Sequence, residues 1–289
     1  PDEFPNPVEV KYPVSMIYAY NNHTNKLYFW GLEGYEGTVA SKENQLLTAF
    51  CDWLKRTKPD VFTGWHFIGF DWPYLYNRCK KVMGIELSEY ISPIGKSRFT
   101  QNGYTSPAGI SVVCMMEMYA KLTLNRKQSY ALDFISHNDL GRKEWGSHDF
   151  SDYEATKAKC KEDVIKLIEL DKKFNIFGQY DEVRRKAKVL WEDLPQMTMY
   201  DGGRKSIVSN NSKPVDQILL EVARKNNLIL PRKPLAQSYI EQNKYLKEQL
   251  DKTTDTIKRR EIIRKIKDGA FRKVYQKGRF KSLIALDLS

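Results

Sequence analysis

The sequence predicts an α/β fold. Three observations carry this: short β-branched and aromatic runs alternate with amphipathic segments of helical period, turn formers punctuate them, and the order over the first 84 residues reads β-β-α-β-α. With 289 residues, 41% hydrophobic and 12% aromatic, the chain is long enough to bury one large core or two ordinary ones.

The runs Val14–Tyr20 and Lys26–Trp30 flank Asn21-Asn-His-Thr-Asn25, a cluster of turn residues, and predict a hairpin. Ser41 precedes apolar positions Leu46, Leu47, Phe50, Trp53 and Leu54 at helical spacing, so it is the expected cap of a helix that ends before Pro59. Asp60–Gly64 reads as a short buried strand. Asp71–Met83 reads as a helix, with Pro73 in the first turn, where a missing N–H costs little, and Gly84 as its stop. After a loop at Ser92–Gly95, Gly109–Cys114 predicts a strand and Ser129–His137 a short helix. A long helical pattern follows from about Asp152 to Lys188, with Gly178 as its expected break. Asp201–Ser206 is expected to turn; it lacks the spacing of a phosphate-binding loop. Helices are predicted over Val215–Lys225 and, with a thin apolar stripe, over Tyr239–Lys267. A last hairpin is predicted over Ala270–Tyr275 and Phe280–Leu286.

Net charge is +11, and +10 of it falls between Arg232 and Lys281, where 16 basic residues face 6 acidic ones. Such a stretch is either a solvated helix face or a surface for a polyanion, which it would attract by counterion release. No run reaches the roughly 18 apolar residues of a membrane span. The four cysteines are widely separated and form neither a C-x-x-C pair nor a zinc spacing, which fits a reducing, cytoplasmic setting. The chain opens at Pro1 without a leader and stops directly after a strand-like run, so it reads as a slice of something longer.

Two acids stand out. Asp71 lies where a strand passes through a Gly-containing loop into a helix, the place where α/β folds bring ligands, although a helix N-cap would have the same spacing. Asp163 lies on a helix beside Val164 and is either a site acid or an ordinary solvated one. Taken alone, Asp287 would be a strand-end acid.

The stretch Thr63-Gly-Trp, then Gly69-Phe-Asp, Pro-Tyr-Leu75 and Asn77-Arg78, resembles the second exonuclease motif of family B DNA polymerases of the T-even phage type. Collinear stretches agree with it: Phe4–Pro7, Ser92–Gly95, Arg126–Gly141, Leu228–Pro231, Gly269–Phe271 and Ala285–Ser289, the last resembling the approach to palm motif A. The resemblance implies a ribonuclease-H-like 3′-5′ exonuclease domain, a mixed sheet flanked by helices, over residues 1–185 but lacking its first strand. It further implies a basic helical connector over 186–268 and the start of a polymerase palm over 269–289.

In that chemistry four carboxylates hold two divalent ions, Mg²⁺ or Mn²⁺, which prefer oxygen ligands. Asp71 and Asp163 match two of the four, Asp287 matches a palm metal ligand, and the remaining Asp-x-Glu pair is expected upstream of Pro1. Phe70 matches a position that stacks on a base. Three positions depart from the pattern: His66 stands for Asn, Ala131 for Ser or Thr before Leu132, and Lys159 for Tyr. His66 and Lys159 still donate hydrogen bonds to phosphate and Ala131 does not, so the resemblance implies weakened or re-tuned proofreading, with Lys159 counted among the catalytic positions and Leu132 among those meeting DNA. The implied partners are primer-template DNA and its single-stranded 3′ end, deoxynucleoside triphosphates, and a sliding clamp as a further candidate, with no membrane. The rival reading is an exonuclease-like fold kept as a non-catalytic DNA-positioning module.

Overall fold

A computed structural model describes residues 5–99, 105–123, 127–143, 152–194, 198–201, 204–207, 212–229, 236–253, 258 and 262. The chain divides into two compact units, Pro1–Ile218 and Leu219–Ser289.

The first hairpin pairs β1 (Met16–Asn21) antiparallel with β2 (Lys26–Gly31). Asn21 Oδ1 shapes its turn by accepting from the His23 and Thr24 N–H groups at 2.9 and 3.2 Å, and Asn25 takes a positive φ of 54°. Helix α1 (Val39–Thr57) begins two residues before the expected Ser41 cap. Its cap is Thr38, whose hydroxyl accepts from Ser41 N–H at 3.3 Å. Strand β3 (Val61–Gly64) leads through a loop to α2 (Asp71–Met83), which stops at Gly84 with φ 67° as the sequence predicts. A short helix, α3 (Leu87–Ile91), and an antiparallel pair, β4 (Ser97–Phe99) with β5 (Thr105–Pro107), precede β6 (Ser111–Cys114). The turn at Gly109, with φ 92°, delays β6 relative to its predicted start.

β6 pairs in parallel with β3, Val61 opposite Ser111 and Gly64 opposite Cys114. It runs directly into α4 (Met115–Leu122), a helix that the sequence reading passed over. Then come α5 (Leu132–Leu140), three residues later than predicted, and α6 (Tyr153–Phe174) with α7 (Ile176–Ala187). The break in the long pattern falls at Asn175, in the left-handed region at φ 48°, and not at Gly178. Asn adopts that region at little cost, whereas Gly178 is helical and lies so close to Asn175 that a Cβ there would meet its Oδ1 at 2.2 Å. Arg204 pairs with Asp201 in the hairpin of β7 (Thr198–Asp201) and β8 (Arg204–Ile207), so the expected turn closes a strand pair. Helices α8 (Ser212–Lys225) and α9 (Ala236–Lys252) follow. The predicted end of the last helix at Lys267, the final hairpin and Asp287 lie outside the described residues.

Among the described residues every ladder is two-stranded, so no single mixed sheet is formed by them. Packing nevertheless has layers. Adjacent residues on a strand face opposite ways, and in β6 Val112 joins the core of Leu46, Phe50, Trp72, Leu87 and Ile110, while Val113 joins that of Met118, Tyr119, Ile135, Leu170 and Tyr180. All four residues of β6 are buried, as in a strand covered on both faces. Two polar side chains tie the layers together: the Trp65 indole N–H donates to the Tyr130 carbonyl at 2.7 Å, and the Glu192 carboxylate accepts from Arg98, from the Ser111 hydroxyl at 3.2 Å and from Val112 N–H at 3.3 Å.

Candidate active site

The loop from β3 to α2 is built by its own backbone. Gly69 and Phe70 N–H both donate to the His66 carbonyl, at 3.1 and 3.0 Å, which curls the chain before Asp71. Gly69 lets the His66 ring lie against this curl: a Cβ there would meet His66 Nε2 at 2.3 Å, and the ring would have to swing away. His66, Gly69 and Phe70 line an open cleft of about 500 Å³ with Pro5, Asn6 and Pro7. The Phe70 ring lies 5.6 Å from that of Tyr74, tilted by 30°.

Asp71 is the first residue of α2, not its cap. Phe70 occupies the cap position and no side chain caps the helix. Solvent reaches Asp71, yet the protein atoms crowding its recess push the carboxyl up to about 6, against a weaker opposing hydrogen bond from its own N–H. The charges of Asp71 and of Asp163 both bear on Cys160, half-buried on α6. Its thiol is pushed up to about 11, chiefly by burial and then by those two acids, while a backbone hydrogen bond to Tyr18 acts the other way. Cys160 thus feels charge from both the start of α2 and the middle of α6.

Asp163 does not stand open there. Lys159 Nζ and Lys166 Nζ each donate to its Oδ1 at 3.1 Å. The same ammonium groups hold Asp133, Lys159 reaching both of its carboxylate oxygens at 3.1 Å and Lys166 reaching Oδ1 at 2.5 Å. Burial opposes the charge of Lys166, whose side chain is 1% exposed, but its hydrogen bonds to Asp133 and Asp163 hold its pKa above the ordinary lysine value. Burial likewise opposes the charge of Asp133, and the bonds from Lys166 and Lys159 outweigh it and lower its pKa.

Ala131, exposed, is the cap residue of α5 and supplies no side-chain acceptor; Leu132 is the first residue of that helix, and Asp133 the second. Of the residues that the sequence singles out, Lys159 and Asp163 touch, Asp71 and Asp163 share Cys160 as a neighbour, and His66 and Phe70 share the cleft. Asp133 and Lys166 were missed. Their signals were faint: Asp133 follows Leu132 in a recognised run, and Lys166 stands at i+3 from Asp163, where opposite charges meet on a helix. Among the described residues no group of three or more His, Cys, Asp or Glu side chains could hold a metal ion, and no helix is long and apolar enough to cross a membrane.

Comparison with known proteins bears on the same region. Residues 2–135 match the model of the exonuclease domain of DNA polymerase family B. The DNA-directed DNA polymerase of Escherichia phage RB69 is 28% identical over 48% of this chain, and that of Enterobacteria phage T4 is 24% identical over 48%. The chain spans 20% of the length of each. The DNA polymerase catalytic subunit of Gallid herpesvirus 2 is 24% identical over 66% of this chain and 16% of its own. Among solved structures, the family B DNA polymerase of Pyrobaculum calidifontis superposes with a TM-score of 0.58 over 80% of this chain and 28% of that one, at 18% identity, a likeness of fold. Over residues 2–135 this chain is therefore similar to the exonuclease domain of DNA polymerase family B.

Proposed function

We propose that this chain acts within a DNA-directed DNA polymerase of family B, where residues 1–185 receive a single-stranded 3′ end for 3′-5′ proofreading. Residues 186–268 form a basic connector to a palm that begins at 269–289, with Asp287 as a metal-binding acid. A ribonuclease-H-like sheet fits the ladders described above, because β1 and β3 each pair on one side only among the described residues, and a strand set between them would join both pairs into one mixed sheet. Primer-template DNA and deoxynucleoside triphosphates are the substrates proposed for the whole protein, a sliding clamp its further partner, and the cytoplasm of a host cell its setting.

The observation that carries this reading is the open cleft of His66 and Phe70 immediately before Asp71, with the charges of Asp71 and Asp163 both felt at Cys160. An aromatic ring at the rim of such a cleft stacks on a base without regard to sequence, and an imidazole N–H donates to phosphate. Lys159, one helical turn before Asp163, adds a cation for the same backbone, whereas Ala131 offers no donor. The divalent ions that the family implies fit these residues unevenly. Asp71, with its own N–H as its hydrogen-bond donor, has the donor chemistry of a metal ligand. Asp163, already held by two ammonium groups, does not.

That last observation favours a second reading, in which the fold positions DNA without cleaving it. Both readings are tested by one experiment on the intact protein that carries this chain, because the Asp-x-Glu pair is expected upstream of Pro1 and the 289 residues alone are expected to be inactive: fluorescence anisotropy with a labelled single strand, followed by gel analysis of its 3′ end in Mg²⁺. Binding with shortening supports the exonuclease; binding without shortening supports the positioning module. Absence of binding overturns both.

A further inference from the structure

Helix α6 carries six acids counting its cap, and every one has a partner. Asp152 accepts from Ala155 N–H at 3.0 Å, Glu154 pairs with Lys157 at 3.5 Å, and Glu162 and Glu169 both pair with Arg142, the latter at 2.6 Å. Asp171 accepts from Phe177 N–H at 3.0 Å. The sixth is Asp163, held by Lys159 and Lys166. At Asp163, the position that the resemblance matches to a cation ligand, α6 therefore presents an acid already held by two ammonium groups.

We infer that Lys159 and Lys166 close Asp133 and Asp163 into a neutral ionic cluster that stands in place of a divalent ion on α6. The inference rests on reading this site as the exonuclease centre, and it departs from the family on the residues themselves. Two carboxylates and two ammonium groups already balance, and Asp163 Oδ1 accepts from both nitrogens at 3.1 Å. A hard divalent ion binds oxygen at about 2.0–2.6 Å. At that distance it would stand against both ammonium groups and would have to displace at least one. Lys166 cannot be the one that leaves, because its side chain is 1% exposed and its departure would strip a buried charge of its partners. Lys159 is the gatekeeper, at 17% exposure and with a stem long enough to reach solvent. The Tyr to which the family pattern points would carry no charge at this place and would leave Asp163 with a single ammonium neighbour.

The test needs no catalysis. Mn²⁺ is titrated into the full 289-residue chain, free ion is read by electron paramagnetic resonance, and the melting temperature is followed with and without Mn²⁺. The wild-type and Asp163→Asn chains are expected to give the same titration. Lys159→Ala is expected to bind Mn²⁺ at least tenfold more tightly and to melt higher in its presence, a gain that the Lys159→Ala, Asp163→Asn double variant loses. Lys159→Tyr, which keeps a bulky side chain, gives the same gain if removal of charge rather than of volume is the cause, and it serves where Lys159→Ala is poorly folded by circular dichroism. A wild-type titration weakened tenfold by Asp163→Asn overturns the inference, and so does a folded Lys159→Tyr chain with no gain. Failure of the site reading is a separate result: the chain would then not bind single-stranded DNA, whatever the Mn²⁺ titration gives.

Discussion

Arg78 and Glu43 meet in a two-pronged ion pair between α2 and α1, Nε to Oε1 and Nη2 to Oε2 both at 2.6 Å, with side chains 9% and 1% exposed. Glu43 also accepts from Val14 N–H at 2.7 Å and Arg78 donates to the Val10 carbonyl at 2.7 Å, so the pair fastens the segment before β1 to both helices. Removing one partner leaves the other charge buried. Glu43→Ala is expected to lower stability by about 3–5 kcal/mol, while the joint change Glu43→Leu with Arg78→Met costs less than either single change. Urea denaturation of Glu43→Ala, of the double variant and of each of its two single changes checks this.

Ala131 stands at the cap of α5 with cap-like backbone angles, φ −59° and ψ 137°, but without an oxygen to accept from the helix N–H groups. Ala131→Ser is expected to stabilise the chain by about 0.5–1 kcal/mol by restoring that acceptor. The same substitution restores the residue type that the family pattern has there. A matched gain in single-strand affinity, read by anisotropy, would separate the substrate role of the hydroxyl from its capping role.

Asp71 holds its proton up to about pH 6 in the folded chain, against an ordinary 3.8. Between those values the folded chain binds a proton that the unfolded chain has shed, so the stabilising share of the protonated acid is full below about 3.8 and lost as pH rises through about 6. Asp71→Asn is therefore expected to raise the melting temperature at pH 7–8 and to change it little near pH 4. Because water reaches the carboxylate, screening keeps the gain to about 1 kcal/mol or less. A loss of stability at pH 8 on this substitution would contradict the assignment of burial as the cause.

Cys160 is the one cysteine among the four that is not fully buried, and its thiol sits at about 11. Iodoacetamide at pH 7.5 is expected to modify Cys160 before the others in the folded chain, at roughly a hundredth of the rate of a free thiol, and to accelerate steadily towards pH 10. Peptide mass spectrometry over a time course reads both the order and the pH dependence.

The alternation of strands and helices through α2 was legible because it rests on local signals: turn-forming Asn, Gly84 as a stop, and apolar positions at helical spacing. What the sequence hid was tertiary. Ser41 was the stronger cap on residue type, yet α1 starts two residues earlier with Thr38 as its cap. Asn175 and Gly178 both permit a left-handed break, and the close approach of Asn175 to the Gly178 Cα settles which one bends. At the site, Asp71 and Asp163 were visible as acids in telling places. That Asp133 and Lys166 complete an ionic cluster with Lys159 depends on the docking of α5 against α6, which no spacing within either helix encodes.

The opposite facing of Val112 and Val113 sets a tolerance for insertions and deletions that side-chain chemistry alone would not reveal. A strand has a side-chain period of two, so losing or gaining one residue between Gly109 and Met115 would exchange the two faces. Each valine would then enter the wrong core and the match of Val61 to Ser111 would slip. With α4 following β6 directly, no loop absorbs the shift, so in this five-residue interval any length change of an odd number of residues strikes both cores at once.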